Sequence, residues 1–520
     1  MAALLTRQDA NWDLERGAFN ILIDQQPAGI AVPRSADEVS DVVRAAAADG
    51  KRVAAQCTGH LAAPLGSLAD TVLLRTAGMG GVQIDEVGQS ARVGAGALWE
   101  DVLPRASDLG LAALHGSSPN VGIAGYSLGG GLSFYARKYG LACNRVTAIE
   151  LVTADGERIR VDADNEPDLF WALRGGGGSF GVVTALEFDL LPLPQVFAGY
   201  LFFPAEQASD VLHSWHEWID GVPEEMTSVW RMLNFPPIPE IPEAFRGKSL
   251  AAIEAIYCGD PADGERLVAP LREVGDVEMD TMTVQPPAGI ADLHMDPPEP
   301  LPYLGDSILI GDLPPAAMDS LLNAIGPSSG SQLISVELQH CGGALSRAPE
   351  GAGAQLEQTL SLCGQRGVDA VVGQRRQSRS RSDDRASPRP RSAGRKRASH
   401  HRLRAPLELP RNGLEVRHEV GCMSRYLLRG ISRGHRRDHL AIRPAWRHGY
   451  GTAAAHLFRD EQEVRLDGLR CRGELRPELG SLRRDADRTR VEVAGADHQA
   501  ALGEEQRRAE RHLVRAEERG

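Results

Sequence analysis

His115 to Tyr139 reads HGSSPNVGIAGYSLGGGLSFYARKY, and its glycines decide how the rest of the chain is read. Gly129 to Gly131 follow Gly122 and Gly125, so the backbone can turn tightly and approach a ligand with no Cβ in the way. A run of main-chain N–H groups in such a loop makes a nest for anionic oxygens, and a short helix N-terminus beside it adds to the attraction. Taken alone, the cluster fits a flexible loop as well as it fits a phosphate cradle. Two further glycine sites change the balance. QCTGH, Gln56 to His60, closes a strand-like segment, Arg52 to Ala55. RGGGGSFG, Arg174 to Gly181, lies between a short helix signal, DLFWAL (168–173), and an apolar run, VVTALEF (182–188). Three loops, each beside a strand, suit one long anionic cofactor.

With these three loops goes a set of longer motifs: PAGIAVPRSADEV near the start, GSSPNVGIAGYSLGGGLS, RKYGLACNRVTAIELVTADG and LFWALRGGGGSFGVVTALEF. On these residues the chain resembles FAD-dependent oxidoreductases of the vanillyl-alcohol oxidase type with a PCMH-type FAD-binding domain, and among them the berberine-bridge-enzyme-like proteins. The resemblance runs from about Asp9 to about Ala354. It implies an α+β architecture: a two-subdomain PCMH-type FAD-binding domain over residues 1–196, then an α+β substrate domain over 197–354.

The local pattern agrees with that division. Ser35 with Glu38 makes a capping box, Val39, Val42, Val43 and Ala46 follow at helical spacing, and Asp49-Gly50 stops the helix. Residues 91–95 read as a strand and 98–107 as a helix. Residues 146–153 and 157–161 read as a hairpin around Asp155-Gly156. Beyond Pro192 and Pro194 the segments 197–203, 227–233, 250–257, 277–284 and 333–338 read as strands, and 205–219, 263–274 and 315–325 as helices. An antiparallel sheet with helices on one face follows.

The formal charge of -13 over 520 residues hides an asymmetry. Residues 1–354 hold 21 Lys and Arg against 47 Asp and Glu, whereas residues 355–520 hold 36 against 23. The acidic body repels phosphate polymers and anionic membranes, which excludes nucleic acid and membrane surfaces as its partners. In the tail, Val, Ile, Leu and Phe supply 30 of 166 residues and arginine outnumbers lysine 35 to 1, too few apolar groups for a stable core. The tail reads as frame-shifted or disordered. Read one nucleotide on, the codons for Leu407 to Asn412 can spell an asparagine motif similar to one that contacts flavin in the family. A basic arm that binds nucleic acid non-specifically, on a catalytically damaged flavoprotein remnant, is the competing reading.

The seven cysteines, at 57, 143, 258, 341, 363, 422 and 471, show no CxxC or metal-ligand spacing and read as free thiols, with no metal site. The N-terminus lacks the apolar core of a signal peptide, and no run of about 18 apolar residues occurs, so a cytoplasmic location is expected.

The resemblance implies a role for each motif. The histidine of a TGH motif bonds covalently to the flavin 8α-methyl group in the family, and His60 holds that place; such a link anchors the ring and makes it a stronger oxidant. Gln56, Thr58 and Gly59 flank it, and Leu61 stands where the family has a small residue. Gly116, Ser117, Ser118, Asn120, Gly122, Gly125, Leu128, Gly129 and Gly130 are expected along the pyrophosphate and ring, with Val182 and Val183 facing the flavin. Some relatives attach the flavin a second time through a cysteine; Ser118 holds that position, so a single attachment is expected, with Cys143 a small buried hydrophobe. The implied reaction is hydride transfer from a carbinol or amine-adjacent C–H of a small molecule to flavin N5, with oxygen or another acceptor reoxidising it. No general base is assigned. His213, His216 and His340 read as surface or helix-face groups. Two other motifs compete: GYSLG (125–129) fits a nucleophile elbow with Ser127, and VGAGALW (93–99) is an incomplete dinucleotide fingerprint.

Overall fold

The computed structural model describes residues 4–354, except 240, 311–312 and 332, together with the strands Val368–Val372 and Val416–Glu419. Among the described residues the first domain holds two larger sheets and a two-stranded pair, Leu111–Ala112 with Leu191–Pro192. A three-stranded parallel sheet has the order Gly29–Ala31, Thr71–Arg75, Arg52–Gln56. The helix Ala36–Ala48 crosses between its two outer strands, and it forms where the capping residues promised: Ser35 Oγ accepts from Glu38 N at 3.3 Å, and Val39, Val42, Val43 and Ala46 are buried. The central strand, Thr71–Arg75, was not read from the sequence.

The second sheet of this domain is antiparallel, in the order Val82–Asp85, Ser90–Gly94, Val182–Asp189, Val146–Val152, Arg158–Asp162. The expected hairpin is its last pair. Trp99, 1 % exposed at the start of the helix Trp99–Asp108, packs edge-on against Phe188 and Tyr126 with ring centroids 5.8 and 5.5 Å away. One apolar core runs from the helix Ala36–Ala48 through this tryptophan to the strand Val182–Asp189.

The second domain is a nine-stranded sheet with antiparallel pairing. Val196–Pro204 pairs with Ser249–Tyr257, then follow Met226–Asn234 and Ser335–His340. One face carries Leu201, Phe203, Trp230, Ile253 and Leu338 against the helices Ala208–Trp218 and Pro315–Ile325. Strand periodicity sends the alternate residues to the opposite face. There Ala198 and Ile256 join the core of the first domain.

Three expectations change. The strand placed at 277–284 is broken into Met279–Asp280 and Thr283–Gln285, because Asp280 Oδ1 accepts from Met282 N at 2.9 Å and turns the chain. Asp306–Ile310 is an additional strand. The sheet also runs past residue 354: Val368–Val372 pairs with Ser335–His340 and Asp306–Ile310, and Val416–Glu419 pairs with Asp306–Ile310. A run of β-branched residues, VDAVV, accounts for the first of these. The remainder of 355–520, and with it the expectations of disorder and of a frame shift, lies outside the described residues.

Candidate cofactor site

The strand Arg52–Gln56 ends in the QCTGH loop. Gln56 is buried and exchanges amide hydrogen bonds with Gln25 at 2.8 and 3.1 Å, so its side chain holds the loop to the segment before the first strand. Gly59 has φ +83°, and a Cβ there would stand 2.9 Å from Ala18 Cα; the turn therefore requires glycine. The turn aims His60 inward. Its ring stacks on Phe19 with centroids 3.8 Å apart and planes 15° apart, and its Nδ1 meets Thr58 Oγ1 at 2.7 Å. Its Nε2 is buried with no hydrogen-bond partner. Burial pushes the imidazole down to about 4; Asn120 lies near enough to oppose that shift, though its geometry gives Nε2 no hydrogen bond. At neutral pH the ring is neutral and keeps a lone pair.

The second loop lies alongside. Gly122 packs so close to Cys57 that a Cβ would stand 2.9 Å from its Sγ. Ser118 Oγ donates to Asn120 Oδ1 at 2.8 Å, and Ser117 Oγ donates to Asp296 Oδ2 at 2.6 Å. The main-chain N–H groups of Gly59 and His60, and of Gly116, Ser117, Ser118 and Asn120, donate to no acceptor among the described residues. Gly59, Gly116 and Ser118 are buried. Buried orphan donors are costly unless a ligand or water meets them. The donor set, orphaned N–H groups on two adjacent loops beside a neutral imidazole, fits an anionic dinucleotide with an aromatic ring.

Two of the three consecutive glycines spend their N–H groups inside the fold. Gly129 N and Gly130 N bond to Gly125 O and Ser127 O and close the helix Ile123–Leu128. Free donors sit upstream, before the helix, and the buried Gly131 N–H past it also meets no acceptor among the described residues. Gly125 is exposed. The third loop is tied to the end of the helix that follows the second, where Gly177 N donates to Leu128 O at 3.0 Å. Val182 and Val183 are buried and pair with Val152 and Leu151, and their side chains belong to the apolar core. Ser127 lies inside the helix, 3 % exposed, and not on a strand-to-helix turn, which removes the nucleophile-elbow reading. Cys143 is buried, and burial pushes its thiol up to about 12.

Sequence reasoning missed a buried polar cage on the sheet face turned away from the helices. Arg231 donates to Glu337 Oε1 at 2.9 Å, to Tyr200 Oη at 2.5 Å and to His294 O at 2.8 Å. His294 sits between Glu254 Oε2 at 2.8 Å and Glu337 Oε2 at 3.2 Å. Burial and Arg231 both push the imidazole down, but the two carboxylates outweigh them and raise it to about 10. Burial pushes the Glu337 carboxyl up, yet Arg231 and His294 hold it well below the usual carboxylate range. Glu254 Oε1 has no partner. The signal for the cage is one charged residue, Arg231, Glu254 or Glu337, inside each of three strands of the second domain's sheet. His340, expected at the surface, is instead 2 % exposed and 2.7 Å from Arg137 Nη1, because it ends a central strand under the first domain. Burial and Arg137 push it down to about 2.

Residues 27–162 match the sequence model described as an FAD binding domain. Residues 27–162 therefore carry an FAD binding domain, and the berberine-bridge-enzyme-like 1 protein of Physcomitrella patens shares the fold with a TM-score of 0.60 at 21 % identity, covering 72 % of this chain and 81 % of that one. Among curated proteins it is 32 % identical over 267 residues to (R)-6-hydroxynicotine oxidase of Paenarthrobacter nicotinovorans, covering 50 % of this chain and 56 % of that one. The chain spans about half the length of the curated relatives it matches. The solved 6-hydroxy-D-nicotine oxidase of Arthrobacter nicotinovorans superposes with a TM-score of 0.59 at 25 % identity, covering 71 % of this chain and 80 % of that one. Glucooligosaccharide oxidase from Acremonium strictum, whose flavin is a 6-S-cysteinyl, 8α-N1-histidyl FAD, shares the fold with a TM-score of 0.60 at 21 % identity, covering 71 % and 79 %.

Proposed function

We propose that this protein is an FAD-linked oxidoreductase that oxidises a small-molecule alcohol or amine at carbon, with the flavin held covalently by His60 alone. When bound, the flavin supplies the acceptor for a hydride. The chain supplies the rest. The orphaned N–H groups of the loop 116–120 are placed to take the pyrophosphate charge. Thr58 and Phe19 fix the His60 ring and burial keeps it neutral; in the tautomer whose Nδ1–H donates to Thr58 Oγ1, Nε2 carries the nucleophilic lone pair. Ser118, in place of a second thiol, leaves a single attachment. The buried, partnerless nitrogen of His60 between two donor-rich loops carries this reading. It agrees in residue type with the histidyl flavin in the name of the glucooligosaccharide oxidase, whose link is through N1, the nitrogen that here meets Thr58, and with the oxidase names of the relatives.

The acceptor that returns the flavin to its oxidised state is oxygen, in keeping with the relatives' names. The test is spectroscopic. Purified protein supplied with FAD is expected to be yellow and to leave a fluorescent band on a denaturing gel, and His60→Ala to lose the band. Colourless wild-type protein, or a band that survives in His60→Ala, sinks the assignment.

A further inference from the structure

The two loops of the candidate cofactor site are held by a third segment, from the other domain. Residues 294–303, HMDPPEPLPY, leave the polar cage at His294 and run across both loops. Asp296 accepts from Ser117 Oγ at 2.6 Å, and Pro298 O accepts from Asn120 Nδ2 at 2.9 Å. Tyr303 Oη donates to His60 O at 2.8 Å. Leu301 N donates to Phe19 O at 3.1 Å, next to the ring that stacks on His60, and Asn20 Nδ2 donates to Tyr303 O at 3.1 Å. The near end is anchored firmly, since both ring nitrogens of His294 face carboxylates and its carbonyl takes a hydrogen bond from Arg231. Immediately after it Met295 has φ +63°, a conformation that a side chain of its size seldom adopts. Such a residue persists only where its surroundings over-determine it. Here the turn sends His294 into the cage and Asp296 toward Ser117.

We infer that residues 294–303 form a positioning strap, in which Asp296 and Tyr303 set the Ser117 hydroxyl and the His60 main chain and thereby hold the two loops in register for the flavin. The proposal rests on the flavoprotein reading above. It makes Asp296 and Tyr303 positioning residues that act through Ser117 and His60. Prolines at 297, 298, 300 and 302 stiffen the span, so the order imposed at the cage reaches the far end.

The test compares full-length wild-type protein with Tyr303→Phe, Asp296→Ala and Asp296→Asn, by amide hydrogen exchange without added FAD and by flavin loading with it. Exchange at Ala62 and Phe19, whose N–H groups donate to Gly59 O and Thr58 O, is expected to quicken about tenfold in Tyr303→Phe, equivalent to about 1.4 kcal/mol. Exchange at Trp99 and Glu100, whose N–H groups donate to Val121 O and Pro119 O of the second loop, is expected to quicken similarly in Asp296→Ala, with Asp296→Asn, which keeps an acceptor, returning it to within about twofold of wild type. Strand 335–340 serves as the unchanged control. The fraction of flavin that resists denaturation is expected to fall about fivefold in Tyr303→Phe. Exchange that stays within twofold of wild type overturns the strap, and so does faster exchange with flavin attachment unaltered, which makes the contact merely structural. Colourless wild-type protein overturns the flavoprotein reading, whereas yellow wild-type protein with unaltered variants overturns the strap alone.

Discussion

Glu337→Gln tests the polar cage. In the folded chain Arg231 and the His294 imidazolium face Glu254 and Glu337, two positive groups against two negative, all buried, with Arg231 2.9 Å and His294 3.2 Å from Glu337. The substitution keeps the shape but leaves an unmatched positive charge where water cannot reach it. Removing one partner of a buried pair costs about 3–5 kcal/mol, which sets the expected loss at pH 7. The pH dependence adds a second signature. His294 is raised to about 10 in the folded protein from an ordinary 6.5. Its contribution to stability is therefore complete below pH 6.5 and is lost as pH rises through 10. Without Glu337 the imidazole releases its proton at lower pH, so that loss begins nearer neutrality. Urea unfolding followed by tryptophan fluorescence between pH 6 and 10 measures both, since Trp230 is fully buried in the same sheet. A loss below about 1 kcal/mol at pH 7, with the alkaline limb unmoved, refutes the reasoning. Arg231→Met with Glu337→Leu removes a balanced pair and is expected to cost far less than Glu337→Gln.

Other outcomes follow from single sites. His115 is buried and held down to about 4; because the unfolded chain binds its proton first, stability falls as pH drops from 6.5 toward 4, and His115→Asn is expected to flatten that acid limb in urea titrations. Gly59→Ala puts a Cβ 2.9 Å from Ala18 Cα at φ +83°; a loss of about 1–3 kcal/mol in thermal melts, with lower flavin retention, is expected. Trp215, fully buried and donating to Ser228 Oγ at 2.9 Å, underlies the second sheet; Trp215→Ala is expected to cost about 3–5 kcal/mol in urea unfolding.

Local features were legible because short-range chemistry writes them. Ser35 and Glu38 marked a helix start, Asp155-Gly156 a hairpin, and alternating apolar residues the strands of the second sheet. Thr71–Arg75 escaped notice because a buried parallel strand lacks the polar alternation that betrays a half-exposed one. The break at Asp280 was hidden by apolar residues on both sides.

Within the site, residue types and backbone freedom were written in the chain: a histidine after a glycine that must turn left-handed, glycine loops beside strands, and a serine where a second thiol would stand. Which N–H groups stay free was decided by tertiary structure, since hydrogen bonding at the helix end consumed those of Gly129 and Gly130 and left those of 116–118, 120 and 131. The same holds for the cage. Glu254 and Glu337 lie 83 residues apart in the chain, and nothing in either neighbourhood announces the other. Strand pairing brought them to one buried imidazole, and burial gave their charges the strength that water would have removed.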